Sequence, residues 1–383
     1  MTTTILGFAT SNTSLTGSAG ADLVYGNTTG TVNFVAGHDG IFALAGDDVV
    51  TGDGAAIAAG GRGGNDRIEG GAGNDIIYGD AVGDVWGVAG NDTLYGDTAT
   101  TVGGNDTIYG DAGGTLYGVG GNDVIYQNGG AGVLLGDATR IAAGGDGGDD
   151  MIYGGSLVGG DSAGPMVDAT GGDDLIVATD ATGSCRLFGE TLDEDLAGAS
   201  VGGRDHIVGG AYADAIYGEG VMLSGTTKGG ADWLSGGGGN DTVYGDGSCV
   251  RDAASGGNDV VWGGDGNDTL YGDGLQLLGT ARGGDDDLYA GSGKDVLWGD
   301  GLLFSQADGG RDRFHFEGDF GADRVMDFRK ADGDQLVFDG VTQNGTTISH
   351  DGANTVLSFA GGQSVTLVDF TDALAVGTDL LFT

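Results

Sequence analysis

The sequence predicts an all-β protein: a parallel β-roll or β-helix solenoid with a coil of about 27 residues and a β-rich C-terminal cap. Three observations predict it. Gly supplies 88 of 383 residues against a single Pro, Pro165. A nonapeptide of the form GGxGxD followed by x-U-x, with U a large apolar residue, recurs along most of the chain. Hydrophobic residues make up 39% and return at regular spacing, so a composition that would otherwise suggest disorder belongs to a repeat architecture.

The clearest unit is Gly70-Gly71-Ala72-Gly73-Asn74-Asp75-Ile76-Ile77-Tyr78, with close copies starting at Gly236 and Gly263. Looser copies start at Gly17, Gly118, Gly145, Gly209 and Ala290. The x-U-x triplet makes a short strand whose middle side chain points inward, because side chains alternate along a strand. The six Gly-rich residues make the turn, where positive φ and close backbone approach cost Gly least. One such unit cannot bury its apolar residue alone, so a core requires stacking.

The sixth-position acids are Asp22, Asp48, Asp66, Asp75, Asp92, Asp106, Asp123, Asp150, Asp174, Asp205, Asp214, Asp232, Asp241, Asp259, Asp268, Asp286, Asp295, Asp312 and Asp323. From Asp205 to Asp295 their gaps run 9, 18, 9, 18, 9, 18, 9, which exposes a 27-residue module. One nonapeptide in three instead begins Gly-Asp/Glu-Gly, as at Glu219, Asp246, Asp273 and Asp300, and forms either a third side or a long turn. Four residues beyond each acid, Leu223, Val250, Leu277 and Phe304 recur 27 apart, and Ile57 and Ile141 hold the same place in earlier copies.

Stacking at about 4.8 Å sets aspartate above aspartate. Two such charges repel by roughly 0.9 kcal/mol in water and roughly 3.5 at an effective dielectric of 20, so the empty ladder opposes folding and cations between turns would cross-link it. Carboxylates and turn carbonyls form an all-oxygen set that favours multiple Ca²⁺ over Mg²⁺. Net charge is −43, which repels nucleic acid, and no apolar run approaches the roughly 18 residues of a membrane span.

GGAGNDIIY and its copies resemble the RTX (repeats-in-toxin) nonapeptide, the haemolysin-type calcium-binding repeat of type I secretion substrates, over most of residues 17–327. The resemblance implies that the sixth-position aspartates and turn carbonyls hold Ca²⁺ between successive coils. It also implies export through the type I machinery, with an extracellular or cell-surface destination. The 27-residue period departs from that family's 18-residue coil. Met1–Ser14 lacks a cationic, apolar leader, and Asp379-Leu380-Leu381-Phe382-Thr383 is similar to the acidic-then-apolar tail of such substrates.

The expected organisation is an N-terminal cap with degenerate coils over 1–51, the repeat solenoid over 52–316, and a C-terminal β cap with the secretion signal over 317–383. In the cap, Phe314–Phe316, Arg324–Phe328, Gln335–Phe338, Thr346–Ser349 and Thr355–Phe359 read as strands, the last two flanking a hairpin turn at His350–Asn354.

No catalytic residues are expected. His38, His206, His315 and His350 are scattered, no HExxH is present, and His206 and His315 read as outward strand residues. Cys185 and Cys249 are too few for a disulfide framework. Eleven of twelve tyrosines occupy position nine, with Trp86, Trp262 and Trp298 in the same strand-ending place. Tyr217, Tyr244, Tyr271 and Trp298, each 27 residues from the next, form either a packing ladder or a contact surface. The composition suits a calcium-folded extracellular structural protein, a matrix, surface-layer or filament subunit that self-associates. A carbohydrate-binding or adhesive module facing extracellular polysaccharide is the alternative.

Overall fold

The computed structural model describes residues 3–7, 10–97, 103–178, 182–192 and 195–383. Its elements are short β-strands, and the described residues contain no helix. The chain divides into two compact units, Met1–His206 and Ile207–Thr383.

In the first unit one coil runs through Arg67–Glu69 in one wall, Ile76–Tyr78 in the facing wall, and back to the starting wall at Thr93–Tyr95. Successive coils pair in parallel, Ile68 with Leu94 and Ile77 with Ile108. The middle residue of each triplet faces inward, and Ile68, Ile77, Leu94, Ile108 and Ile125 have no exposed surface. Burying each such side chain contributes about 1.5–3 kcal/mol, which a single coil, lacking neighbours above and below, would forgo.

The two connections between walls differ. On the short-turn edge, Gly70 to Asp75 is the nonapeptide turn itself. On the loop edge the same turn, from Gly79 to Asp92, is opened by an insertion. The equivalence is geometric: a Cβ on Gly70 would lie 2.5 Å from Asp75 Oδ2, and one on Gly79 would lie 2.1 Å from Asp92 Oδ2. The inserted loop carries its own parallel column, Ile57 to Val85 to Leu116 to Ile141, all fully buried. The Gly-Asp/Glu-Gly segment is therefore a loop with a strand ladder of its own. A 27-residue coil is an 18-residue, two-walled coil with nine residues added inside one turn, which resolves the departure in period.

The second unit repeats this coil with a strict period. Val243 pairs with Leu270, and Leu223, Val250 and Leu277 form the loop column. The column's next member is Leu303, not Phe304. The step from Asp286 to Asp312 spans 26 residues, so the register slips by one and Phe304 turns outward at 44% exposure. At the C-terminal end, Ser364–Leu367 extends one wall in parallel, then Asn354–Ser358 and Thr347–Asp351 add antiparallel strands. Their hairpin turns between Asp351 and Asn354, and Phe316, Phe320, Phe338 and Phe359 pack together beneath it. The tail strand Leu380–Phe382 pairs with Leu336–Phe338 in the other wall. No helix among the described residues is long and apolar enough to cross a membrane.

Candidate metal centre

Most turns end on a carboxylate that reaches one coil back. On the short-turn edge of the first unit, Asp22 N donates to Asp48 Oδ1, Asp48 N to Asp75 Oδ1 and Asp75 N to Asp106 Oδ1, at 2.6, 2.8 and 2.9 Å. In the second unit Asp214, Asp241, Asp268, Asp295 and Asp323 continue the same pattern at 2.7–3.0 Å. The loop edge carries a second ladder: Asp66, Asp92, Asp123, Asp150, Asp174 and Asp205 in the first unit, and Asp232, Asp259, Asp286 and Asp312 in the second. Fixing Oδ1 by a backbone N–H leaves the other oxygen pointing into the turn.

These carboxylates are buried, and many lack a partner for that second oxygen. Asp48, Asp66, Asp75, Asp92, Asp123, Asp150, Asp174, Asp241, Asp259, Asp268, Asp286, Asp295, Asp312 and Asp323 each present an Oδ2 with no hydrogen bond. Burial raises Asp75 and Asp295 to about 7 and Asp323 to about 8, with neighbouring aspartates adding to the rise. Asp92, Asp150 and Asp259 on the loop edge are pushed well above the usual carboxylate range by burial, then by the acids above, below and beside them. An unpaired buried charge is strongly disfavoured, so these positions call for a cation or a proton.

A divalent cation fits the hollow. At Gly79 a Cβ would meet Asp92 Oδ2 at 2.1 Å and the Gly110 carbonyl at 1.7 Å, so a carboxylate oxygen and a carbonyl of the next coil line one space that only Gly leaves open. Among the described residues no three His, Cys, Asp or Glu side chains converge, and an ion held here would draw on the turn carbonyls beside the carboxylate. All-oxygen, carbonyl-rich sites suit Ca²⁺.

A family model of RTX calcium-binding nonapeptide repeats, in four copies, matches residues 10–28, 61–85, 83–114, 201–220, 226–248, 253–274 and 280–301. These stretches carry RTX calcium-binding repeats. RTX nonapeptides bind calcium, and proteins that carry them are typically secreted. None of the curated proteins matches the RTX chain. Among solved structures it is similar to the crystal structure of extracellular lipase LipA from Serratia marcescens, at 19% identity over 52% of this chain and 45% of the lipase, with a TM-score of 0.23. The RTX chain thus spans less than half of that lipase.

All nineteen sixth-position aspartates of the RTX chain fall on the two ladders. Sequence reading missed Asp39, which accepts from Thr13 N, and Asp334, which accepts from Asp312 N. Neither sits in a full GGxGxD match, but Ala36-Gly37-His38-Asp39 carries the same partial signal as Ala45-Gly46-Asp47-Asp48, whereas Asp334 is revealed by the stacking. On the short-turn edge Gly132, Ser156 and Cys185 occupy ladder places without an acid, each just before its strand. Cys185 is buried against the Gly155 carbonyl, and Cys249 lies on a loop strand opposite Met222 and Gln276.

The position-nine rings of the RTX chain stack. Tyr217, Tyr244 and Tyr271 follow at 4.8 Å between centroids, and Tyr271 to Trp298 is 6.1 Å. Tyr217, Tyr244 and Trp298 are half-buried, and Tyr271 keeps only 7% exposure. Trp86 and Tyr117 stack at 3.8 Å on the inserted loops rather than on the walls. His315 is not the free surface residue its position suggested. Its ring stacks on Tyr289 and lies 3.1 Å from Asp287 and 3.5 Å from Asp339.

Proposed function

We propose that this RTX chain is a secreted, non-enzymatic structural protein whose solenoid folds around Ca²⁺ and then self-associates as a matrix, surface-layer or filament subunit. The observation that carries the reading is the pair of buried aspartate ladders with unpartnered Oδ2 atoms running coil to coil. Nearly every described residue serves the stack, and a chain that is scaffold throughout suits a scaffold's role. In this reading 1–51 starts the stack, 52–316 is the calcium solenoid, and 317–383 closes it and carries the type I export signal. The nineteen sixth-position aspartates are the carboxylate ligands. Electron microscopy of the purified chain with Ca²⁺ and with chelator tests the reading. Ordered assemblies are expected only with Ca²⁺, and monomers in both conditions would overturn the structural role.

A carbohydrate-binding or adhesive role is a second reading. Trp233, Trp262 and Tyr289 form an aromatic row beside a groove of about 810 Å³ lined by Trp262, Asp265, Ser292, Glu317, Asp319 and Asp339. Flat rings beside carboxylates suit sugar faces and hydroxyls. Saturable polysaccharide binding by the monomer, lost on Trp262→Ala, would favour it.

A further inference from the structure

The inserted loops are closed by acids that the sixth-position ladders do not include. Asp80 accepts from Gly90 N at 2.7 Å, Asp246 from Gly257 N at 2.9 Å and Asp273 from Gly284 N at 2.7 Å. Each bond joins the two ends of one loop, so these carboxylates form its neck. They are fully buried, Asp80 Oδ1, Asp246 Oδ2 and Asp273 Oδ2 meet no N–H or O–H donor, and neck acids of adjacent coils face each other within hydrogen-bonding reach, Asp53 with Asp80 and Asp246 with Asp273. Their oxygens converge between coils: a Cβ on Gly256 would lie 2.3 Å from Asp246 Oδ2 and 2.2 Å from Asp273 Oδ1.

Two further observations point to a cation there. Where the neck column meets its first coil in the N-terminal unit, an amide replaces the acid. Asn27 donates its side-chain NH₂ to Asp53 Oδ1 and to the Gly37 carbonyl. Near the last coil of the C-terminal unit, the Arg329 guanidinium sits on Asp300 Oδ2 and reaches the Gly301 carbonyl. In both places a donor contacts one neck carboxylate and one carbonyl, which is what a bound cation would do. The acid also recurs where another turn is opened: on the short-turn edge, Asp97 accepts from Gly104 N across a shorter insertion and leaves Oδ1 unpartnered.

We propose that the neck acids are calcium ligands, forming with the adjacent sixth-position aspartates a two-carboxylate column on the loop edge, while an uninterrupted turn of the short-turn edge offers at most one carboxylate. Asp246 lies close enough to Asp259, and Asp273 to Asp286, for their charges to interact, so each loop-edge turn would offer two negative charges to one divalent ion. The insertion thereby both adds a second apolar column and supplies the acid that compensates for opening the turn. The inference rests on the reading that the chain folds around Ca²⁺.

Calcium stoichiometry of the full chain, measured by equilibrium dialysis with elemental analysis, tests it with Asp246→Asn/Asp273→Asn. Asn keeps an oxygen for the Gly257 and Gly284 amides and can place an NH₂ as Asn27 does, so the fold should persist in saturating Ca²⁺ by circular dichroism. The variant should bind about two ions fewer than the parent, one per altered neck. An unchanged ion count would show that the neck acids share protons or only hold the loop, and would overturn the proposal. If the double variant does not fold, single Asp246→Asn decides by the loss of about one ion or none. A parent chain that binds no Ca²⁺ would instead overturn the underlying reading.

Discussion

Gln127 Nε2 lies 3.0 Å from Asp106 Oδ2 and 2.7 Å from the Gly129 carbonyl, beneath the turn in which Gly132 stands in the aspartate place. The ladder on the short-turn edge is interrupted here, and a neutral amide donor fills the space facing the last acid before the gap. Burial still raises Asp106 to about 6, with the Gln127 bond opposing the rise.

Gln127→Leu should therefore destabilise the calcium-saturated chain by about 1–3 kcal/mol, the cost of leaving buried polar atoms unpaired. Denaturant unfolding of parent and variant in excess Ca²⁺ measures it. Equal midpoints would mean that Asp106 finds another partner at this coil.

Chelation should unfold the stack in a pH-dependent way. Asp75, Asp106, Asp241, Asp295 and Asp323 are raised by burial to about 7, 6, 6, 7 and 8 from an ordinary value of 3.8. A raised folded value means the fold prefers the protonated form. Its contribution is complete below the unfolded value and is lost as pH rises through the folded one. In chelator, β-structure by far-UV circular dichroism should be greater at pH 5 than at pH 8. Calcium affinity should run the opposite way, since binding needs the deprotonated acids. A β signal in chelator that is flat or rises between pH 5 and pH 8 would contradict the buried-ladder account.

Coil spacing leaves no room for a methyl group at the loop-edge turns. A Cβ on Gly245 would lie 1.5 Å from the backbone carbonyl of Gly272, whereas one on Gly238 would meet no atom closer than 3.9 Å. Gly245→Ala should sharply lower the calcium-dependent thermal midpoint, and Gly238→Ala should change it little. Similar midpoints for the two variants would show that the coils separate more readily than their packing implies.

The aromatic column bears on stability before it bears on contact. Burial raises the Tyr244 hydroxyl to about 12, and its ring is stacked on both faces. Tyr244→Ser should cost about 0.5–1.5 kcal/mol for each stacked pair lost, beyond the buried area. Sedimentation velocity of a folded Tyr244→Ser/Tyr271→Ser variant then separates roles. The structural reading expects weaker assembly in Ca²⁺, and parent-like assembly would confine the column to packing.

The repeat, its 27-residue period and the inward column are legible in the residues alone, because each is a matter of spacing: Leu223, Val250 and Leu277 are equidistant in the chain and adjacent in space. Both sets of sixth-position acids are legible too, since GGxGxD marks them locally. Where like meets like depends on the folded stack. Spacing alone left the Gly-Asp/Glu-Gly segment as either a side or a turn, because the same residues suit both. The Asp80 to Gly90 bond, closing a loop inside one turn, distinguishes them. Asp334 lacks the motif and joins a ladder only through the coil stacked against it, whereas Asp39 carries the partial AGxD signal also present at Asp48. Phe304 keeps the sequence period but loses the pairing with Leu277 to Leu303, because a single missing residue between Asp286 and Asp312 shifts the register. Backbone pairing obeys that shift, and chain spacing cannot reveal which side of the deletion absorbs it.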